Sequence, residues 1–311
     1  MIISVFRRAA ATLLLSTGLW SMAHAACQFA KVAEMPVQWS ANGQPLVGAE
    51  INGKPVSMLF DTGSNWTVLT RQGAEAHGLS ISPGSGYAYG VGGVSSNMAA
   101  EVKEFVLGAA RNKNIQLWVM GSAELGSEIV GLVGADYSMQ MNLEVALADN
   151  AIRFFRTIDC DNAYLGYWDK DALEVPLDWP GSFDKRPFVT VELNGKKVVA
   201  LVDTGASVSA VYRRTAKLAG VDVNDAQAAG LIGGIGDHKV KMWPARFDFK
   251  LGDEVVKNVK MTVIDERSDS SDDYSGMLLG QDWLRAHRVL FVRSQKRMIF
   301  SYLGGAVFSA P

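Results

Sequence analysis

Val56-Ser57-Met58-Leu59-Phe60-Asp61-Thr62-Gly63-Ser64 returns 142 residues later as Val198-Val199-Ala200-Leu201-Val202-Asp203-Thr204-Gly205-Ala206. Each copy is a short apolar run of the kind that forms a buried strand, closed by the same Asp-Thr-Gly. Turn signals precede both at the same offset, Asn52-Gly53-Lys54 and Asn194-Gly195-Lys196. Downstream, Gly90-Val91-Gly92-Gly93 matches Gly234-Ile235-Gly236-Asp237, and Phe105-Val106-Leu107-Gly108 matches Phe249-Lys250-Leu251-Gly252, both at an offset of 144. Gly131-Leu132-Val133-Gly134-Ala135-Asp136 finally answers Gly276-Met277-Leu278-Leu279-Gly280-Gln281-Asp282, with closing glycines 146 apart. Ordered matches on one slowly drifting diagonal mean an internal duplication with small loop insertions.

Both copies read as β-structure: short runs rich in Val, Ile and aromatics, separated by Gly, Asn and Asp turns. Strands are expected at residues 187–193, 198–202, 245–251 and 255–264, and short helices at 71–78, 213–220 and 282–288. Parallel strand–helix–strand units are not indicated. The expected fold is all-β, two lobes related by a pseudo-two-fold with a cleft between them. The predicted division is a first lobe at 36–157, a polar, turn-rich linker at 158–171 and a second lobe at 172–303.

The chain has 311 residues, 48% hydrophobic and 20% charged, with a formal net charge of -2. That balance suits a globular protein and gives no electrostatic reason to expect a nucleic-acid partner. At the N-terminus, Arg7 and Arg8 precede an apolar run over residues 9–20, followed by Ala23-His24-Ala25. This order predicts a secretory signal peptide at 1–26 and an exported protein, periplasmic or secreted. No segment of the mature chain is apolar enough over sufficient length for a helical membrane span.

The repeated motif carries chemistry. A strand delivers an Asp at its end; the following Thr can hydrogen-bond across an interface, and the Gly permits a sharp turn and close approach of backbone. A pseudo-two-fold brings Asp61 and Asp203 face to face. Two carboxylates about 3 Å apart cannot both ionise easily, so they share one proton over a wide pH range. Such a pair holds an acid and a base at once: one member deprotonates a water that attacks a carbonyl, and the other protonates the developing oxyanion. No metal, cofactor or covalent nucleophile is required. Ser64 follows the first motif where Ala206 follows the second. A Ser64 hydroxyl donating to Asp61 would favour its charged form and leave the shared proton on Asp203.

The hydrophobic-hydrophobic-Asp-Thr-Gly-Ser/Ala pattern, twice, with Leu132-Val133-Gly134 and Leu278-Leu279-Gly280, resembles the aspartic proteases, and each half resembles one retropepsin subunit. The resemblance implies an aspartic endopeptidase acting on extended polypeptide and complete as a monomer. Asp61 and Asp203 would be its catalytic pair, and Thr62 and Thr204 a cross-lobe brace. Gly63, Ser64, Gly205 and Ala206 would support the pair, with Gly134 and Gly280 on the strands beneath. The stretches 87–94 and 231–237, with Tyr89, Gly90, Gly92 and Gly93 and with Gly234, Ile235 and Gly236, would be substrate-binding flaps. The rival reading on the same scaffold is a peptide-binding envelope protein without turnover.

Cys27 and Cys160 are the only cysteines. In an exported chain a disulfide between them is the first expectation, and lipid attachment at Cys27 the alternative. His77, His238 and His287 are scattered without a zinc-protease pattern, and no Gly-x-Ser-x-Gly elbow occurs. The acidic stretch 265–273 lacks the glycine and closing Glu of an EF-hand and reads as a solvated loop.

Overall fold

The computed structural model describes residues 26–121, 125–178, 183–236, 238–265 and 274–308. The predicted signal peptide through residue 25, Asp237, and residues 266–273 of the acidic stretch lie outside the described residues.

Each half builds its own sheet, eight strands in the first and seven in the second. The Asn-Gly signals open each lobe as two-residue hairpins. Asn52 and Gly53 take φ of 51° and 78°, Asn194 and Gly195 φ of 50° and 77°, the positive values that a tight hairpin demands at both central positions. Pro45–Ile51 thereby pairs with Lys54–Phe60, and Phe188–Leu193 with Lys196–Val202. Each sheet then closes on itself, Ile51 facing Phe105 in one lobe and Leu193 facing Phe249 in the other.

The feature that creates the site is a threaded strand. Ile129–Val133 lies between Lys54–Phe60, to which it is parallel, and Val68–Thr70, to which it is antiparallel. Met277–Leu279 repeats this between Lys196–Val202 and Ala210–Tyr212. A second parallel pairing joins Val68–Thr70 to Ala110–Met120, and Ala210–Tyr212 to Glu254–Ile264. The loop carrying each Asp-Thr-Gly therefore arches over the end of an inserted strand. Alternate residues of the inserted strand enter different apolar clusters, Val130 and Val133 one and Ile129 and Leu132 another, with Met277 and Leu279 set against Leu278 in the same way, so both faces are buried.

A third sheet was not foreseen. It has six strands, three from each half, and joins them where Leu143, Glu144 and Val145 pair with Phe291, Leu290 and Val289. A continuous apolar cluster, including Phe60, Val145, Phe247, Phe291 and Phe300, runs through both lobes beneath it. Glu144 is fully buried in this sheet, and its carboxylate accepts from Arg153 Nη1 at 2.6 Å and from the Tyr167 hydroxyl at 2.8 Å. Residues 159–171 lie against the same sheet: Tyr167 packs on Phe155 at 5.4 Å, and Trp168 Nε1 donates to Ser301 Oγ at 3.1 Å.

Cys27 and Cys160 form a disulfide with Cα atoms 4.5 Å apart. With its sulfur in that bond, Cys27 has no thiol to acylate. No helix among the described residues is long and apolar enough to cross a membrane.

Helices occur at Arg71–Ala76 and Arg213–Leu218, close to expectation, but the one expected at 282–288 is the short turn Gln281–Leu284, and His287–Val292 is a strand of the third sheet. The hydrophobic run that continues from residue 289 is recruited by pairing with Arg297–Tyr302, which overrides the local helical pattern.

Candidate active site

Asp61 and Asp203 emerge from equivalent strand ends, each with its backbone N–H donating to the threaded strand, Asp61 to Val133 O at 3.0 Å and Asp203 to Leu279 O at 2.9 Å. Both residues are buried. Each carboxylate is received by its own loop. Gly63 and Ser64 N–H donate to Asp61 Oδ1 at 2.9 and 3.0 Å, and Gly205 and Ala206 N–H donate to Asp203 Oδ1 at 2.8 and 3.1 Å.

The glycines show how close the two loops come. A Cβ on Gly63 would stand 2.4 Å from the Asp203 carboxyl carbon, and one on Gly205 would stand 2.5 Å from that of Asp61. Nothing larger than glycine fits, so the motif's third residue is required by the approach of the opposite carboxyl. Behind the carboxyls, Thr62 Oγ1 donates to Val202 O at 2.7 Å and Thr204 Oγ1 to Phe60 O at 2.6 Å, each crossing to the other lobe.

The environment acts against ionisation. Burial pushes the Asp61 carboxyl well above the usual carboxylate range; the neighbouring Asp203 charge and a hydrogen bond given to Asp203 push it further. Burial also raises Asp203, while the bond from Asp61 and the loop N–H groups oppose the rise. Both carboxyls are thus held above the ordinary range, and the support that Ser64 was expected to give the charged form of Asp61 is missing. The reason is local: the Ser64 hydroxyl donates to Trp66 O at 2.8 Å, and its single proton is thereby used away from Asp61.

Gly134 and Gly280 lie under the two loops. A Cβ on Gly134 would meet the Trp66 carbonyl carbon at 2.4 Å, and one on Gly280 would meet Ala206 O at 2.7 Å. Two carboxylates not singled out from the sequence anchor the loops from behind. Asp136 Oδ1 accepts from Thr67 N and Oγ1, both at 2.8 Å, and Asp282 Oδ1 accepts from Ser209 N and Oγ at 2.9 and 2.6 Å. Their signal was present in the repeat as Gly134-Ala135-Asp136 and Gly280-Gln281-Asp282. Asn65 had no such signal: its amide donates to Phe183 O and accepts from Lys185 N, both at 3.0 Å, tying the second lobe's entry segment to the first lobe's loop.

The glycine-rich stretches form hairpin tips that meet. Gly92 N–H donates to Ile235 O, and His238 N–H donates to Gly92 O, each at 2.9 Å. Val91 packs on the second lobe's cluster with Leu201 and Leu278, and Ile235 packs on the first lobe's cluster with Leu59 and Leu132. Each tip thus reaches residues next to the other lobe's Asp-Thr-Gly. Gly90 lies against Ile235, Gly93 near the His238 ring and Gly234 near Val91, while Tyr89 is exposed.

Chemically, the arrangement offers two buried carboxyls in hydrogen-bond contact, with a hairpin tip from each lobe packed on residues beside them. No curated protein is significantly similar to the chain. The aspartyl protease family model matches residues 47–137 and 189–283, the two segments that carry the repeated loop, hairpin and threaded strand. With more than half its length matched, and the match falling twice on two closed β-lobes, the chain belongs to the aspartyl protease family as a duplicated retropepsin-like protein.

Proposed function

We propose that this protein is an aspartic endopeptidase that hydrolyses peptide bonds in extended polypeptide through a water activated by Asp61 and Asp203. The observation that carries the reading is the mutual burial of the two carboxyls, each within reach of the other lobe's glycine. A carboxylate in the pair removes a proton from the bound water as the water oxygen bonds to the peptide carbon. The protonated partner gives its proton to the carbonyl oxygen, and the pair later returns a proton to the leaving nitrogen. Thr62, Thr204, Gly63, Gly205, Ser64, Ala206, Gly134 and Gly280 hold this geometry. The hairpin tips at Tyr89, Gly90, Gly92 and Gly93 and at Gly234, Ile235 and Gly236 cover the substrate and add strand-like hydrogen bonds to its backbone. Both halves of the site lie in one chain, so a monomer suffices, with lobes at 36–157 and 172–303 joined by 158–171. The disulfide supports an oxidising, exported location.

The test is digestion of a diverse peptide mixture by the mature chain from acid to neutral pH, read by mass spectrometry. Cleavage is expected from the native protein and from neither Asp61→Asn nor Asp203→Asn. Cleavage persisting in either variant overturns the assignment.

A further inference from the structure

Besides Ser64 and Ala206, the surroundings of the carboxyl pair differ at a second matched position. Position 135 is Ala in the first copy, and the matching position 281 is Gln. Their backbones sit alike, Ala135 N–H donating to Ser64 O at 2.8 Å and Gln281 N–H to Ala206 O at 2.9 Å. The Gln281 side chain is fully buried and used at both ends. Its Nε2 donates to Thr204 O at 2.9 Å, and its Oε1 accepts from Arg285 Nη2 at 3.0 Å. The Thr204 carbonyl belongs to the same peptide group as the Gly205 N–H, which donates to Asp203 Oδ1 at 2.8 Å. Ala135 has no donor to offer the Thr62 carbonyl.

We propose that Arg285, Gln281 and the Thr204–Gly205 peptide form a hydrogen-bonded relay that settles the pair's single negative charge on Asp203. Asp203 is then the base toward water and Asp61 the acid toward the substrate oxygen. Gln281 and Arg285 are positioning residues in this scheme, which rests on the peptidase reading above.

An amide that accepts a hydrogen bond at oxygen donates more strongly at nitrogen, by about 10–30% per bond in condensed phase. Two amides in series carry the polarisation from a guanidinium to a carboxylate, and the strengthened last bond favours the charged form of its acceptor. The source is held firmly: Arg285 also donates to Gly43 O and stacks 4.1 Å over the Trp39 ring. The other charged groups that face Asp203 are Asp61 and Arg186. Arg186 is forked onto Asp184 at 2.6 and 2.9 Å and pulls Asp203 in the same direction as the relay. Only a change confined to Gln281 isolates the relay.

The experiment is a carboxyl-carbon NMR titration of the aspartate-labelled full chain, with the pair's signals assigned through Asp61→Asn and Asp203→Asn. In the native protein Asp203 is expected to ionise in the first macroscopic step and Asp61 in the second. Gln281→Met, close in size but without a donor, should move the first step up by roughly half a pH unit and leave the second in place, because Asp203 is charged on both sides of the second step. Arg285→Met should move the first step less in the same direction, and the double variant no further than Gln281→Met alone, because the parts act in series. Asp61 ionising first in the native chain overturns the proposal, as do an unmoved first step in a folded Gln281→Met or additive shifts in the double variant. The native titration needs neither a foldable variant nor a substrate. A chain that titrates in the expected order yet cleaves nothing contradicts the peptidase reading and supports the relay; one that cleaves with the opposite order contradicts the relay alone.

Discussion

Thr62 and Thr204 hold each other across the lobe boundary: Thr62 N–H donates to Thr204 Oγ1 at 3.0 Å and Thr204 N–H to Thr62 Oγ1 at 3.1 Å, while each hydroxyl donates to a carbonyl of the opposite strand. Both residues are fully buried. Thr204→Val keeps the shape but leaves the Thr62 N–H and the Phe60 carbonyl without partners. A buried group so orphaned costs about 1–3 kcal/mol, so urea unfolding should show a loss of roughly 3 kcal/mol, with activity falling alongside. Thr204→Ser keeps the hydroxyl and loses one methyl, worth about 1 kcal/mol. Equal losses in the two variants would mean that the methyl, and not the brace, carries the stability.

The carboxyl pair gives stability a defined pH dependence. Asp61 and Asp203 both stand above their ordinary range, through burial first. A carboxyl whose native pKa exceeds its unfolded value binds its proton more tightly in the fold. Its contribution favours the native state below the unfolded pKa and is lost as pH rises through the raised native value. Asp61→Asn removes the ionisation yet keeps an oxygen for the Gly63 and Ser64 N–H groups. It should therefore melt above the native protein at neutral pH, with the gap closing below about pH 4. A gap independent of pH would show that the pair carries no charge penalty.

The duplication, the all-β class and the meeting of the two Asp-Thr-Gly loops were legible because each is written into a short contiguous stretch and repeated. The tip glycines were legible for the same reason. What escaped depends on contacts between distant segments. The six-stranded joint sheet needs Leu143 to face Phe291, a pairing that neither strand announces alone. Ser64 promised a donor for Asp61, but its hydroxyl gives its proton to the Trp66 carbonyl, a partner visible only once the turn is folded. Gln281 stood in the quoted repeat opposite Ala135, but its role required knowing that its amide reaches Thr204 and Arg285. The helix expected at 282–288 fails at His287, where strand pairing takes over.

The disulfide closes a long loop, with Cys27 and Cys160 at a sequence separation of 133. Constraint of the unfolded chain by a loop of that length is worth about 4–5 kcal/mol in the chain-entropy account. Replacing both cysteines by Ser should lower urea-unfolding stability by several kcal/mol, and adding reductant to the native protein should reproduce the loss. The bond joins the strand Gln28–Pro36, paired with Ala151–Ile158, to the start of the linker. Amide exchange should therefore accelerate first in these segments. Uniform acceleration across both lobes would place the bond's effect on the whole fold.

The hairpin tips give the sharpest test of whether they move with substrate. Gly236 has φ of +111°, and a Cβ there would lie 2.3 Å from the Gly92 carbonyl carbon. Gly236→Ala must push the tips apart, at a cost of about 1–3 kcal/mol in the closed arrangement. If peptide binds beneath closed tips, KM should rise by about tenfold with little change in melting temperature. Gly53→Ala is the control: its φ of +78° imposes comparable backbone strain, but open space surrounds the position. That variant should lose stability and keep its KM. A KM unchanged in Gly236→Ala would mean that the tip contact opens before peptide binds and plays no part in holding it. Equal KM increases in both variants would trace the effect to general loosening of the first lobe, and the tips would lose their assigned role.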